Sequence, residues 1–473
     1  MKLCVLNGSP KGNKESITMQ YIYYSERLFP KHNFESINIG QILNNMKIND
    51  KRFKTIIQQI KSADGIIWCF PIYTTLVPAQ LKKFIELLFE QDKNPFQDKY
   101  TICLSTSMKF YDMMAHNYMN AVCEDLGLKY VGFYSAHTFD FLEFKYRRKW
   151  YTFLDYFLNI IGEQQQITKR YLPIKDREFA YNPEMDSNFK KINNQEKKIV
   201  ILTDYSNNDT NIAKMIEQFK NCFTEKIIQY NINKENIKGG CLGCLKCGLD
   251  NQCVYKDDFC QLFQNIKNSD ILVYAGTIKD RFLSSQFKMY FDRCFHNGHT
   301  PSMEGMQICF LISGPLSQIA NLREWIAAMV ELGYANLVDI VTDEYEDSKI
   351  IDRLIRNMAK NAVNLNERDY SSPSTFYEVG GYKIFRDMIF GLPGAIFRMD
   401  YNFFKEREMF NFPTRDWKGR ISRVFLSFLL KSKKIRKKFK SNLPYAMTAA
   451  FHKEMNEIDF VNELAQIKQE INV

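Results

Sequence analysis

Short apolar runs alternate with amphipathic segments along the first part of the chain. The runs KLCVLN (2–7), GIIWCF (65–70) and YTICLST (100–106) are mostly apolar and lead into turns, which is typical of strands buried in a parallel sheet. FESINI (34–39) alternates apolar and polar residues and predicts a further strand. Segments 16–29, 53–62 and 78–90 carry apolar residues at helical spacing. This order predicts the α/β class, with a parallel sheet covered on both faces.

The same pattern returns in the second part of the chain. KLCVL (2–6) is similar to KIVIL (198–202), at an offset of 196 residues. IKSADGII (60–67) and AQLKKFIELLF (79–89) are similar to IKNSDILV (266–273) and SQFKMYFDRCF (285–295), at an offset of 206. A duplicated domain explains both offsets, and its second copy has gained ten residues between its first and third strands. A cluster of cysteines lies in that interval.

These observations predict two tandem, doubly wound domains. The first covers residues 1–185 and the second covers residues 198–365, with a polar linker at 186–197. Residues 366–473 lose the alternation and predict a mostly helical, basic C-terminal extension. Ligands of such sheets bind beyond the carboxyl ends of the strands, beside the switch in strand order.

Composition and charge narrow the class of protein. The 473 residues are 45% hydrophobic and 25% charged, as in ordinary globular proteins. No apolar run is long enough to span a bilayer, and the N-terminus lacks the layout of a signal peptide, so we expect a cytoplasmic protein whose twelve cysteines are mostly thiols or metal ligands.

The net charge of +10 has a local origin. Segment 415–440 holds eleven Lys or Arg and one Asp, so the rest of the chain is nearly neutral and nucleic-acid binding is not expected. We favour a helix that packs on the second domain and leaves its basic end in solvent. A peripheral helix on a membrane surface is the alternative.

The first candidate site is the loop LNGSPKGNKESIT (6–18), between a strand and a helix. Its Ser9, Lys11, Asn13, Ser16 and Thr18 offer donors beside a helix N-terminus, an arrangement that suits a phosphate group. The spacing is neither that of a Walker P-loop nor that of G-x-G-x-x-G. An ordinary polar turn that caps the helix is the alternative.

With three further segments, the loop resembles the flavodoxin-like NAD(P)H-dependent FMN reductases. The shared motifs are Gly8-Ser9-Pro10 with Ser16 and Thr18, Pro71-Ile72-Tyr73, Ala79-Gln80-Leu81-Lys82, and the strand end Ser105-Thr106-Ser107-Met108-Lys109. The resemblance implies flavodoxin-like domains with strand order 2-1-3-4-5, FMN as cofactor and NAD(P)H as electron donor. It places Pro71, Ile72, Tyr73, Thr106, Ser107 and Lys109 at the flavin ring, although Tyr73 also suits a packed core position. Since the flavin performs the redox chemistry, no catalytic acid or base is assigned.

The second candidate site is the cysteine motif C-x2-C-x2-C-x5-C, formed by Cys241, Cys244, Cys247 and Cys253. Thiolates at this density bind metals or clusters well. The motif resembles that of the iron–sulfur flavoproteins, which implies a 4Fe–4S cluster next to FMN. Zinc, redox-active thiols and structural thiols are the alternatives.

The second domain departs from the flavin pattern. Its loop 203–211 lacks Gly-Ser-Pro and carries Asp204 and Asp209, which would repel a phosphate, and Thr277-Ile278-Lys279 replaces Pro-Ile-Tyr. We therefore expect FMN in the first domain and the cysteine centre in the second, while Thr210-Asn211 and Ile312-Ser313-Gly314 leave a second flavin open. The predicted function is an FMN-dependent oxidoreductase that passes electrons from NAD(P)H to a small-molecule or protein acceptor, with a homodimer left open. The alternative is an electron carrier without a substrate of its own.

Overall fold

The computed structural model describes residues 1–42, 50–90, 95–175, 177–184, 188–297, 300–410 and 417–470. The chain forms two compact units. The first unit consists of Met1–Pro173, Gly240–Leu245 and Leu429–Val473, and the second unit consists of Ile174–Gly239 and Lys246–Phe428. Each unit is built on one parallel sheet of five strands.

The sheet of the first unit has the order β2-β1-β3-β4-β5, with every pair parallel. Its strands are β1 (Lys2–Asn7), β2 (Asn33–Asn38), β3 (Gly65–Pro71), β4 (Tyr100–Ser107) and β5 (Lys129–His137). The helices are α1 (Gly12–Glu15), α2 (Ile17–Leu28), α3 (Ile39–Ile42), α4 (Lys51–Lys61), α5 (Ala79–Phe89), α6 (Asp112–Asp125) and α7 (Phe144–Glu163). The central strands β3 and β4 are buried almost throughout, as their continuous apolar runs predict.

The sheet of the second unit has the order β7-β6-β8-β9-β10, again parallel throughout. Its strands are β6 (Ile199–Thr203), β7 (Ile228–Asn231), β8 (Ile271–Thr277), β9 (Gln307–Ser313) and β10 (Asn336–Thr342). Its helices are α8 (Asn211–Asn221), α9 (Phe259–Lys267), α10 (Ser285–Cys294), α11 (Ala320–Leu332) and α12 (Ser348–Glu367). Counted within each copy, both orders are 2-1-3-4-5, so the predicted tandem flavodoxin-like fold is confirmed.

Helices continue after the second sheet. They are α13 (Phe376–Phe390), α14 (Pro393–Ile396), α15 (Arg398–Glu406), α16 (Trp417–Leu429), α17 (Lys433–Glu457) and α18 (Phe460–Glu470). Within the described ranges, none of the helices is both long enough and apolar enough to cross a bilayer.

A buried ion pair occupies the same place in both copies. In α5, Lys82 Nζ lies 3.0 Å from Glu86 Oε1, and in α10 the side chains of Lys288 and Asp292 pair one helical turn apart. The two lysine side chains are fully buried. A buried ammonium needs a partner of opposite charge, because desolvation without one costs several kcal/mol. The pair is therefore a structural feature that both copies retain.

The last two helices, α17 and α18, complete the core of the first unit. Phe451 and Ile467 are buried in the cluster that also holds Trp150 of α7. The Arg147 guanidinium, which is 6% exposed, binds Glu463 through Nε at 2.9 Å and through Nη2 at 3.1 Å. Its Nη1 lies 2.9 Å from Glu454 Oε1. Paired hydrogen bonds of this kind hold the two side chains in one orientation and also balance their charges.

We expect Arg147→Met to weaken this attachment strongly. The change leaves Glu463 and Glu454 partly buried without their cation, which typically costs about 3–5 kcal/mol. The neighbouring Arg148 forms a more exposed pair with Glu470, so Arg148→Met should cost at most about 1 kcal/mol. Urea unfolding and limited proteolysis of residues 429–470 would measure the difference, and equal destabilisation by both variants would contradict this role of Arg147.

Candidate functional site

The carboxyl ends of β1, β3 and β4 form one edge of the first sheet, beside the switch in strand order between β1 and β3. Backbone hydrogen bonds join the three segments that leave this edge. The Gly8 N–H donates to the Cys69 carbonyl at 2.8 Å, and the Ile72 N–H donates to the Thr106 carbonyl at 3.1 Å. The segments 6–18, 71–73 and 105–109, which the sequence singled out, therefore lie together at the position where such sheets bind ligands.

The loop after β1 is held by its own side chains. The Asn7 side chain accepts a hydrogen bond from the Ser9 N–H at 2.9 Å and donates to Asn13 Oδ1 at 2.7 Å. The Ser9 hydroxyl accepts from the Lys11 N–H at 3.3 Å. The one-turn helix α1 follows before α2 begins, a detail that the periodicity of segment 16–29 does not predict. These bonds fix the loop beside a helix N-terminus.

Ser16 is the N-cap of α2, and its side chain makes no capping hydrogen bond. The N–H groups in the first turn of a helix carry partial positive charge and need an acceptor from outside the helix. With the hydroxyl of Ser16 and the backbone of the loop, they form a donor set that suits a phosphate group.

Thr18 and Thr106 join the first turn of α2 to the end of β4. Their hydroxyl oxygens lie 2.7 Å apart, and Thr18 is fully buried. Since only one of the two hydroxyls donates within the pair, the other hydroxyl hydrogen can serve a further acceptor. The structure thus brings together two predicted site residues that are 88 positions apart in sequence.

The segment after β3 forms a strained turn. Thr74 and Thr75 have φ angles of 41° and 65°, and the backbones of Tyr73 and Leu76 exchange hydrogen bonds of 2.9 and 3.0 Å across the turn. Left-handed backbone costs a β-branched residue about 1–3 kcal/mol and is concentrated at functional sites. No glycine marks this turn, so the sequence analysis missed it. It fixes Tyr73, which is half-buried, at the sheet edge.

Lys109 is also held at this edge, with a φ of 63°. Its N–H donates to the Ser107 hydroxyl at 3.0 Å, and its ammonium donates to the Ser135 hydroxyl at 2.9 Å and lies 3.9 Å from Asp112. Burial lowers the pKa of the Lys109 ammonium, and the Asp112 carboxylate opposes that shift. The ammonium is thus bound to Ser135, while its contact with a flavin ring stays a prediction.

Residues Gly240–Leu245 belong to the first unit and carry two of the four motif cysteines. The Gln80 side chain donates to the Cys241 carbonyl at 3.3 Å. At Gly243, where φ is +62°, an ideal Cβ would lie 1.8 Å from the Tyr73 hydroxyl oxygen, so a larger residue there would have to displace the Tyr73 side chain. Burial lowers the pKa of Lys11, and Cys244 and Cys241 act against that shift. The first half of the cysteine motif therefore adjoins the predicted flavin loops.

The predicted metal ligands are Cys241, Cys244, Cys247 and Cys253. In the part of the chain that the structure describes, no three Cys, His, Asp or Glu side chains are arranged to hold a metal ion. A 4Fe–4S cluster or a zinc ion at this motif therefore stays a prediction, and we derive no step through either.

Arg293 fixes both ends of the cysteine segment within the second unit. Its guanidinium binds the Asp257 carboxylate at 2.8 and 3.0 Å, donates to the Gly239 carbonyl at 2.9 Å, and lies over the rings of Tyr255 and Phe259. Burial alone would raise the pKa of Asp257, but the hydrogen bonds and charge of Arg293 outweigh burial and lower it. The structural role of Arg293 follows from these contacts.

In the second unit, a carboxylate of the chain itself occupies the equivalent edge. In the strand register, Ser313 of β9 lies beside Thr277, the last residue of β8. Thr106 of β4 lies in the same way beside Pro71, the last residue of β3, so Ser313 corresponds to Thr106. The Asp343 carboxylate accepts from the Ser313 hydroxyl at 2.7 Å and from the Gly314 N–H at 2.9 Å.

The same carboxylate binds two further donors. Asn211, at the start of α8, donates to Asp343 at 2.8 Å, and the Arg177 guanidinium lies 3.2 Å from it. Asp204 and Asp209 were the carboxylates expected from the sequence, whereas the one that binds these donors is Asp343, which follows β10. The donors that correspond to the ring-edge residues of the first copy are therefore bound to Asp343.

His116 lies beneath the first site. Its Nε2 is 3.0 Å from the Ser105 hydroxyl, and its ring stacks on Phe133 with 3.9 Å between centroids. Burial lowers the pKa of His116 from 6.5 to about 4. The imidazole is therefore neutral at physiological pH and supports the end of β4.

One family model matches the first copy, and further known proteins are similar to about a third of the chain. Residues 1–135 match the family model described as NADPH-dependent FMN reductase. An iron–sulfur flavoprotein of Archaeoglobus fulgidus is 23% identical over 176 residues, which cover 35% of this chain and 78% of that protein.

Two solved structures are similar at lower identity. The NAD(P)H:acceptor oxidoreductase FerB of Paracoccus denitrificans is 16% identical, with coverage of 34% of this chain and 97% of that chain and a TM-score of 0.31. An FMN-dependent NADH-azoreductase of Bacillus anthracis is also 16% identical, with coverage of 35% and 99% and a TM-score of 0.27.

We expect the buried neutral state of His116 to make stability pH-dependent. Between pH 6.5 and about 4 the unfolded chain binds a proton at this position and the folded chain does not, so stability falls as the pH falls through this window. The contribution of His116 is up to about 3 kcal/mol. Urea unfolding at several pH values should show a weaker dependence for His116→Gln than for the parent protein, and an unchanged dependence would contradict the assignment.

Proposed function

We propose that the chain is an FMN-dependent oxidoreductase, starting from the match of residues 1–135 to the family model described as NADPH-dependent FMN reductase. It takes electrons from NADH or NADPH and passes them to a small-molecule or protein acceptor. The proposal places one FMN per chain, in the first unit.

The observation that carries this proposal is the meeting of three predicted segments at one sheet edge. The loop after β1, the strained turn at Tyr73–Leu76 and the end of β4 are joined by hydrogen bonds, among them the one between Thr18 and Thr106. The donor set fits the two chemical parts of FMN, since hydroxyls and a helix N-terminus suit the phosphate and a half-buried tyrosine suits a ring.

Each part of this edge has a separate task in the proposed reaction. The first turn of α2, with Ser9, Asn13 and Ser16, would bind the phosphate, and Lys11 would add positive charge. Pro71, Ile72 and Tyr73 would orient the ring, with Thr106, Ser107 and Lys109 at its edge. Bound FMN would accept a hydride from the nicotinamide and pass its electrons on.

The second unit has a different role in this proposal. Asp343 holds a fixed negative charge on Ser313 and Gly314, which correspond to the ring-edge residues Thr106 and Ser107, and it also binds Asn211 and Arg177. The edge of a second flavin ring would have to displace that carboxylate from these donors. We therefore assign no flavin to this copy.

Introducing a negative charge at the N-cap of α2 should abolish flavin binding. Ser16→Glu places a carboxylate beside the proposed phosphate position, and like charges about 4 Å apart repel by several kcal/mol at a protein surface. We expect the dissociation constant for FMN to rise about a hundredfold or more, as measured by fluorescence titration of apoprotein.

The duplicated fold supplies the matched control. Thr210 is the N-cap of α8, the corresponding helix of the second unit, so Thr210→Glu should leave FMN binding unchanged. Parent protein that binds no FMN, or equal loss in both variants, would contradict the proposal. Anaerobic mixing of the FMN-loaded protein with NADH and with NADPH would then identify the donor. Flavin reduction by neither would favour the electron-carrier alternative.

A further inference from the structure

The first half of the cysteine motif lies against the residues assigned to the flavin ring. Gly243 is directly against the Tyr73 hydroxyl, and the Cys241 carbonyl accepts a hydrogen bond from Gln80 at the start of α5. The Gly243 N–H donates to the Cys241 sulfur at 3.4 Å. Both cysteines of the Cys241-Leu242-Gly243-Cys244 segment are partly exposed. The C-x-x-C pair formed by Cys241 and Cys244 therefore adjoins the proposed flavin site.

We propose that Cys241 and Cys244 form a dithiol–disulfide couple that exchanges electrons with the flavin. The inference rests on the proposed function, because the flavin is its electron partner. C-x-x-C is the spacing of thiol pairs that cycle between reduced and oxidised states. Lys11, in the proposed phosphate loop, interacts electrostatically with both cysteines. We assign only Cys241 and Cys244 to the couple, because their segment is the one that adjoins Tyr73 and Gln80.

The reaction balances without another cofactor. Two-electron-reduced flavin gives up two electrons and two protons and returns to its oxidised state. The S–S bond between Cys241 and Cys244 breaks, and each sulfur gains one electron and one proton. The resulting thiols can then reduce an external disulfide by exchange through a mixed disulfide. The proposed class of electron acceptor is therefore a disulfide.

Counting electrons in the FMN-loaded, full-length protein tests the couple. After oxidation with glutathione disulfide and removal of the oxidant, anaerobic titration with dithionite should consume two electrons per chain beyond those that reduce the flavin. The double variant Cys241→Ser with Cys244→Ser should lose this additional pair. The matched variant Cys247→Ser with Cys253→Ser should retain it. Peptide mass mapping should find the Cys241–Cys244 disulfide in the oxidised parent protein.

The outcomes separate the two proposals. Protein that takes up no FMN would overturn the proposed function and, with it, the link to the flavin. FMN-loaded protein that accepts only the electrons of the flavin, or that lacks the mapped disulfide, would overturn the dithiol couple alone. Loss of the additional electrons in both double variants, together with bound iron and sulfide, would replace the couple with a cluster.

Helix α16 exposes a continuous stripe of apolar side chains. Trp417, Ile421, Val424, Phe425 and Phe428 are 61–69% exposed, and none of the helix residues is buried. At helical periodicity these five positions fall within an arc of about 100°. Arg420 lies over the ring of Phe390 and Arg423 over that of Tyr401, so cation–π contacts attach the helix on another side.

The geometry points to an anionic lipid surface as the occupant of this stripe. Five large apolar side chains would enter the interface, and Lys418, Arg420 and Arg423 would lie beside it. The sequence that follows adds seven Lys or Arg between 431 and 440 and no acidic residue, while residues 415 and 416 of the basic segment lie outside the described residues. Apolar area together with basic charge is the pattern that binds anionic membranes.

Vesicle co-sedimentation of the full-length protein tests this surface. We expect binding to phosphatidylcholine vesicles that contain phosphatidylserine, weaker binding without it, and release by salt. The variant Phe425→Asp with Phe428→Asp should lose binding, and Leu172→Asp, at another strongly exposed apolar residue, should retain it. Absence of binding to either vesicle would overturn the proposal. So would self-association of the parent protein, seen by analytical ultracentrifugation and lost in the double variant, since a second copy would then be the occupant.

Discussion

The parallel direction of the strands is the constraint on which the rest of the structure depends. Consecutive parallel strands need a crossover helix, so every strand of a sheet delivers its carboxyl end to the same edge. Loops that are far apart in sequence therefore meet there, as Thr18 and Thr106 do in the first unit and Ser313 and Asp343 do in the second. The candidate site at this edge therefore depends on the parallel topology of the sheet, which brings these loops together.

The two copies use this common edge in opposite ways. The first copy presents the hydroxyls and N–H groups of a helix start, which suit an external anion. The second copy binds the carboxylate of Asp343 at the corresponding position. Elsewhere the copies remain alike, and both keep a buried lysine paired with an acidic residue one helical turn later. The buried packing of the two copies has thus diverged less than the chemistry at the carboxyl edges of their sheets.

Sequence periodicity predicted the two sheets well because strands buried on both faces are continuously apolar, as GIIWCF is. The polar residues of the loop after β1 were visible in the sequence, but their hydrogen bonds to one another, such as that between Asn7 and Asn13, were not. The turn at Thr74 and Thr75 was not predictable, since β-branched residues normally avoid positive φ. Asp343 was missed because its partners, Asn211 and Arg177, are 132 and 166 positions away in sequence. Local patterns carry no information on such pairings.

The helices that complete the first core come from the far end of the chain. Tyr24 donates to Glu463 across 439 positions, and Phe451 and Ile467 pack into a cluster with Leu3 and Val5. On the ribosome, the first sheet is therefore synthesised long before the residues that cover one side of it. During that interval an apolar surface of the first unit stays uncovered, and it is exposed to chaperones and to aggregation. The order of synthesis thus makes completion of the first core one of the last events of folding.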